Sequence, residues 1–215
     1  MKKPRILLAD DHTLVLEGFQ KLLEEHGDLV GTAEDGRSLV DAAARLQPDL
    51  VILDISMPRL NGIDAAKKLK KQLPDMKLIF VTMHADPAYV NEAFKAGASG
   101  YLLKRSASQE LVQAIQSVMS GNYYVTPLIT KDVIHSFLAP GQRVKPEVDD
   151  LTSRQREILQ LVAEGFSAKE IAVQLNVSHR TVEFHKAKIM EQLDLHTTAD
   201  LVKYAMAHGL VSASP

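Results

Sequence analysis

The sequence predicts an α/β domain on a doubly wound, five-stranded parallel sheet, followed by an all-α domain that contains a helix-turn-helix. Over the first 120 residues, five short β-branched or aliphatic runs alternate with longer stretches of helical period. Repeated β-α units of this kind build a parallel sheet with helices on both faces. Beyond residue 150 the apolar period is helical throughout, and four cap signals each stand in front of an apolar run.

The candidate strands are residues 5–9, 29–33, 50–53, 78–81 and 100–103. Between them lie helical stretches of ordinary length, the first over 14–25 with Leu14, Val15, Phe19, Leu22 and Leu23 as its apolar side. Pro48, Pro74 and Gly97-Ala98-Ser99-Gly100 punctuate the units where turns are needed. Gly121-Asn122 closes this domain, assigned to residues 1–121. A short amphipathic helix follows, apolar at Ile129, Val133, Ile134, Phe137 and Leu138. Residues 139–150 hold two prolines, a glycine and no periodic pattern, so 122–148 is assigned as helix plus linker. In the last segment, 149–215, helices are expected over 153–164, 168–175, 179–193 and near 198–208. Thr152-x-x-Gln155, Ser167-x-x-Glu170 and Thr197-x-x-Asp200 have capping-box spacing, and Ser178 is a fourth N-cap. Gly165 and Gly209 stand at helix ends.

Composition is that of an ordinary globular protein, 46% hydrophobic and 24% charged. Cysteine is absent, which excludes a disulfide scaffold or a thiolate metal site and fits a reducing compartment. The apolar run Ile6 to Ala9 stops at Asp10-Asp11, too short for a signal segment or a membrane span. A cytoplasmic protein with no membrane partner is expected. The net charge of −2 does not advertise a nucleic-acid binder, and residues 151–215 hold seven Lys/Arg against seven Asp/Glu. Any DNA binding must come from local charge placement and dimerisation.

Asp10 and Asp11 end the first candidate strand, Asp54 the third, Thr82 the fourth and Lys104 the fifth. In a parallel sheet the carboxyl ends share one edge, where such folds hold their ligands. Residues far apart in sequence therefore converge. Three carboxylates held together repel unless protonated or shared by a cation, and an oxygen-only set suits Mg2+. Singly, each residue has a plainer reading: Asp11 an N-cap, Thr82 a strand residue, Lys104 a solvated charge. Together, five polar residues at strand ends define a built site.

The runs Asp10-Asp11, Asp54-Ile55-Ser56-Met57-Pro58-Arg59-Leu60-Asn61-Gly62, Val81-Thr82-Met83 and Tyr101-Leu102-Leu103-Lys104 resemble the signature of response-regulator receiver domains over about residues 4–121. That resemblance implies a flavodoxin-like receiver sheet in which Asp54 accepts a phosphoryl group from the phosphohistidine of a sensor histidine kinase. It also implies that Asp11, Asp54 and the main-chain carbonyl of Ser56 hold Mg2+, with Asp10 acting largely through water. The residue types agree with that chemistry. An aspartate nucleophile gives a reactive acyl phosphate, and Mg2+ and Lys104 neutralise the phosphoryl oxygens. The Thr82 hydroxyl bonds the new phosphate, and Tyr101 resembles the aromatic that turns inward as that hydroxyl moves. Such a domain phosphorylates and dephosphorylates itself and is not otherwise an enzyme. Two departures stand out: Arg105 follows Lys104 where many receivers have proline, and His12 follows the acid pair. His12 is read as a loop residue, not a ligand.

On a wheel of about 100° per residue, Val182, His185, Ile189 and Leu193 share the core side of the third C-terminal helix. Arg180, Phe184, Ala187 and Glu191 point away, flanked by Glu183 and Lys188. An exposed Phe184 suits a thymine methyl. The runs from Leu151 to Leu159, Ser167 to Ala172 and Thr181 to Ile189 are similar to the LuxR/NarL/FixJ helix-turn-helix over about 149–211. The similarity implies a four-helix domain whose third helix enters the major groove of promoter double-stranded DNA, with a dimer contact through the last helix. The expected DNA-facing set is Ser178, Arg180, Thr181, Glu183, Phe184, Lys186, Ala187 and Lys188, of which Arg180, Thr181, Lys186 and Lys188 are the phosphate candidates. Some members carry lysine at the positions of Glu183 and Ala187, so base reading differs here. Glu183 either accepts from a cytosine amino group or repels wrong phosphates. With so few cations one domain binds weakly, and a homodimer on two half-sites gains through effective concentration.

The leading reading is a phosphorylation-controlled transcription factor. In the resembling proteins the unmodified receiver docks over the helix-turn-helix, and phosphorylation frees it or promotes dimerisation. A phosphatase of the haloacid-dehalogenase type would instead carry Asp-x-Asp on its first strand. This chain has Asp10-Asp11-His12 there and its nucleophile on the third strand. A constitutive DNA-binding protein with an idle receiver is the third reading. Against it stands the acid pocket, because buried unpaired carboxylates cost stability.

Overall fold

The computed structural model describes residues 3–138 and 151–211, which form two compact units. The expected linker at 139–150 lies outside the described residues.

In the first unit the element order is β1 (Arg5–Ala9), α1 (Thr13–Leu23), β2 (Asp28–Ala33), α2 (Gly36–Leu46), β3 (Leu50–Leu53), α3 (Gly62–Gln72), β4 (Lys77–Thr82), α4 (Pro87–Lys95), β5 (Gly100–Leu103), α5 (Lys104–Met119), β6 (Tyr124–Val125) and α6 (Pro127–Leu138). The sheet runs β2-β1-β3-β4-β5-β6 and every pair is parallel. The five-stranded expectation is therefore corrected to six. β6 pairs Gly100 with Tyr124 and Tyr101 with Val125. Two residues are too few for a period-2 signal, and this strand exists because the free edge of β5 offers its backbone groups.

The strands are aliphatic because both faces are covered. Ile6, Leu8, Leu50, Ile52, Ile79, Val81 and Leu102 pack on one face with Leu16, Phe19 and Leu23 of α1 and Ala107, Leu111 and Val118 of α5. Their alternates, Leu7, Val51, Phe80 and Tyr101, are equally buried, as are Leu39 of α2, Leu69 of α3 and Val90 of α4. Helix starts follow local chemistry. The Asp35 carboxylate accepts from the amides of Arg37 and Ser38 at 2.8 and 2.9 Å, and Asp86 caps α4 with Pro87 in its first turn.

The second unit holds α7 (Ser153–Ala163), α8 (Ala168–Leu175), α9 (His179–Gln192) and α10 (Thr198–Ala207). All three expected capping boxes form, at Thr152/Gln155, Ser167/Glu170 and Thr197/Asp200, and the Ser178 hydroxyl accepts from the Thr181 amide at 3.0 Å. A small core of Ile158, Leu159, Leu161, Ile171, Val182, Ile189, Leu201 and Ala205 joins all four helices. α8 is capped by Asn176 with φ +51°, a left-handed turn that asparagine tolerates, so only Asn176, Val177 and Ser178 separate it from α9.

Candidate functional site

Register brings the acids together. Ala9 pairs with Leu53, so Asp10 and Asp54 leave the sheet side by side, and Thr82 pairs with Leu103, the residue before Lys104. Asp10 and Asp54 are 2% and 3% exposed, and Thr82 is fully buried. The loop that follows Asp54 is shaped by Gly62. Its amide donates to the Ile55 carbonyl at 2.8 Å, and a Cβ there would collide with the Asp54 carbonyl oxygen, so only glycine permits the approach.

The Lys104 ammonium lies 2.7 Å from Asp10 Oδ2 and 2.7 Å from Asp54 Oδ2. Burial alone would push that amine down, but attraction to the two carboxylates outweighs it and holds the lysine above its usual range. Asp10 has only part of the lysine, so its burial is incompletely offset and its carboxyl titrates above the usual range. Asp54 Oδ1 accepts from the Ile55 amide at 2.6 Å. One oxygen of Asp54 is thus fixed by the backbone, and the other faces a cation.

His12 belongs to the cluster more closely than its reading as a plain loop residue suggests. Its Nδ1 lies 2.8 Å from Asp11 Oδ1 and 3.2 Å from Asp10 Oδ1, and ligand atoms of Asp10, Asp11 and His12 fall within 4.8 Å of one another. Three carboxylates against one ammonium leave negative charge unbalanced, and the remaining donors are hard oxygens. That donor set fits a small divalent cation such as Mg2+, for which Asp11, Asp54 and the Ser56 carbonyl are the expected ligands.

Tyr101 is fully buried, and its hydroxyl donates to the His84 carbonyl at 2.9 Å. Burial, with Asp54 nearby, pushes the phenol far above its usual range, so it serves as a neutral donor. The sequence reading omitted His84. Its ring stacks on Tyr89 at 4.1 Å and meets the Ser56 hydroxyl at 2.8 Å, and burial lowers its pKa, which keeps the imidazole neutral. His84 lies in the loop after β4, two residues beyond Thr82, where no sequence period marks it. The Lys104–Arg105 peptide bond is trans, and Lys104 opens α5 directly.

In the second unit the α9 wheel holds. Val182 and Ile189 are buried, whereas Ser178, Arg180, Glu183, Ala187 and Lys188 are exposed and Thr181 and Lys186 are half-buried. Phe184 is 59% exposed. The Lys188 ammonium pairs with Glu191 at 2.7 Å, the Thr181 hydroxyl sits 2.8 Å from that of Ser178, and Arg154 donates to the Leu175 carbonyl at the end of α8. A short turn before an exposed, mixed-polarity helix is the geometry of a groove-reading helix-turn-helix.

An α/β sheet with an acid-lysine edge followed by such a helical unit defines a two-domain signalling regulator. Residues 6–116 match the family model of the response regulator receiver domain, and residues 149–205 that of bacterial regulatory proteins, luxR family. The chain belongs to the response regulators that join a receiver domain to a LuxR-family DNA-binding domain. It is 37% identical over 212 residues to the transcriptional regulatory protein MctR of Rhizobium johnstonii, covering 98% of this chain and 96% of that one. It is likewise 37% identical over 214 residues to the oxygen regulatory protein NreC of Staphylococcus carnosus, covering 96% and 99%. Among solved structures it resembles RcsB of Salmonella enterica serovar Typhimurium, bound to a promoter in the presence of the phosphomimetic BeF3−. The TM-score is 0.60 at 30% identity, with 94% of this chain and 98% of that one covered.

Proposed function

We propose that Asp54 is a phosphoacceptor and that its modification shifts dimerisation and promoter binding by the helix-turn-helix of this transcriptional regulator. One observation carries the reading: a buried carboxylate with one oxygen fixed by the Ile55 amide and the other 2.7 Å from a buried ammonium. The presented oxygen attacks phosphorus as the bond to the donor nitrogen of a sensor kinase's phosphohistidine breaks. Lys104 offsets charge on the transferring oxygens, in a pocket where water is scarce and such pairing counts for more. Mg2+ held by Asp11, Asp54 and the Ser56 carbonyl, with Asp10 acting through water, would supply the remaining neutralisation. The Thr82 hydroxyl then bonds the phosphoryl group, and the Tyr101 hydroxyl fixes the chain at His84. Arg180, Thr181, Lys186 and Lys188 are assigned to DNA phosphates, and the N-cap Ser178 with Glu183, Phe184 and Ala187 of α9 completes the proposed DNA-contacting set. Among the described residues no helix is long and apolar enough to cross a membrane; a cytoplasmic site of action is part of this proposal.

The test is a band shift with promoter DNA, using the full chain and Asp54→Ala, each with and without acetyl phosphate and Mg2+. Affinity and dimer fraction are expected to rise only in the wild type. An equal rise in Asp54→Ala, or none in the wild type, refutes the proposal.

A further inference from the structure

Thr126 is fully buried and bonded on three sides. Its amide donates to the Tyr101 carbonyl at 2.9 Å, extending the β5–β6 pairing by one residue. Its hydroxyl donates to Glu110 Oε1 at 3.0 Å and lies 3.3 Å from the Ser106 hydroxyl, which itself donates to the Leu103 carbonyl at 3.2 Å. Its carbonyl opens α6, accepting from the Ile129 amide at 3.3 Å and the Thr130 hydroxyl at 2.9 Å. The other oxygen of Glu110 accepts from the Tyr124 hydroxyl at 3.2 Å. One residue thus touches the backbone of Tyr101, the Ser106 hydroxyl that bonds the turn before Lys104, and the helix that leads out of the receiver.

β6 is a strand of two residues at the edge of the sheet, paired among the described residues with β5 alone. Among the described residues no strand lies on its far side, so its place is set by β5 and by the Glu110 bonds from α5. α6 in turn packs on α4, with Ile129 2% exposed. The bonds from Thr126 to Tyr101, Glu110 and α6 are packed around a fully buried side chain, so a displacement of one partner is passed to the others.

We infer that Thr126, held by Glu110, is the junction through which the state of the Asp54 site reaches α6 and, beyond it, the DNA-binding domain. The inference rests on the phosphoacceptor reading above and adds the route by which that state leaves the receiver. Movement of Tyr101 or of the Leu103–Lys104 turn shifts the Tyr101 and Leu103 carbonyls. Thr126 carries that shift into the first turn of α6.

The experiment uses the full chain and three variants: Thr126→Val, which deletes the hydroxyl at nearly constant shape; Thr126→Ser, which keeps it; and Glu110→Gln, which weakens its acceptor. Each is assayed for phosphoryl uptake from acetyl phosphate with Mg2+, for hydrogen exchange of the 127–138 amides, and for the gain in promoter affinity on phosphorylation. Thr126→Val and Glu110→Gln are expected to take up label like the wild type. They should lose the phosphorylation-dependent change in exchange at 127–138, and at least about fivefold of the affinity gain, the lower end of ordinary coupling between sites. Thr126→Ser should keep both. A full affinity gain in Thr126→Val overturns the inference and leaves the phosphoacceptor reading intact. Should Thr126→Val fail to fold, a full gain in Glu110→Gln has the same force. Wild-type protein that takes up no label refutes the phosphoacceptor reading itself, and the junction with it.

Discussion

Asp10 shows how the site trades stability for chemistry. Its folded-state pKa lies above the unfolded value, because burial is only partly offset by a lysine it shares with Asp54. For an acid with a raised pKa the sign is unfavourable: folding is penalised at every pH above both values, and the penalty disappears as pH falls through the folded pKa. Asp10→Asn removes the buried charge while Lys104 keeps Asp54 as its partner, and is expected to stabilise the metal-free protein near pH 7, measured by urea unfolding in EDTA. The same variant should need more Mg2+ for phosphoryl uptake. A less stable variant in EDTA would contradict this account of the pocket. Phe184 is the counterpart at the other end of the chain, a large apolar ring 59% exposed on α9. Phe184→Ala should leave the urea midpoint within experimental scatter and weaken DNA binding by about 1 kcal/mol, roughly the loss of one apolar contact to a base. An unchanged binding isotherm would remove Phe184 from the interface.

At the scale of elements, α9 depends on its first turn. Ser178 supplies the cap that orients Thr181 and starts the helix behind the Asn176 turn. Ser178→Ala should cost about 1 kcal/mol of stability, read by denaturation of the full chain, and should weaken DNA binding as the first turn loosens. A variant equal to wild type in both would show that tertiary packing alone sets α9. The elements also show what the sequence could disclose. β1, β3 and β5 were legible to the residue because strands buried on both faces read as short, mainly apolar runs, and the α9 wheel was legible because its core stripe, Val182 and Ile189, contrasts with polar neighbours. The acids at the strand ends followed from topology alone. β6 was not legible: Tyr124-Val125 is shorter than any period, and Gly121-Asn122 before it has the look of a domain end. His84 and His12 were underweighted for a related reason. A single histidine in a loop carries no pattern, and its role depends on the fold bringing Ser56, Tyr89 or the acid pair within reach.

Across the whole molecule, a chain with net charge −2 must bind DNA through few, well-placed cations. Log affinity should fall with log salt by about 0.9 per phosphate contact, and Arg180→Ala should lower that slope by about 1 per protomer while weakening all sequences alike. A slope unchanged in Arg180→Ala would place Arg180 off the phosphates. Two half-sites should bind more tightly than one only when the receiver is phosphorylated, since modification is expected to favour the dimer. Each of these effects presupposes that the acid edge of the sheet accepts a phosphoryl group at one defined residue. The most direct measurement is uptake of labelled phosphate from acetyl phosphate in Mg2+, followed by peptide mapping of the modified residue. The account predicts a single alkali- and hydroxylamine-labile phosphoryl group on Asp54, absent in EDTA and in Asp54→Ala. Label on another residue, or uptake undiminished in Asp54→Ala, would contradict it.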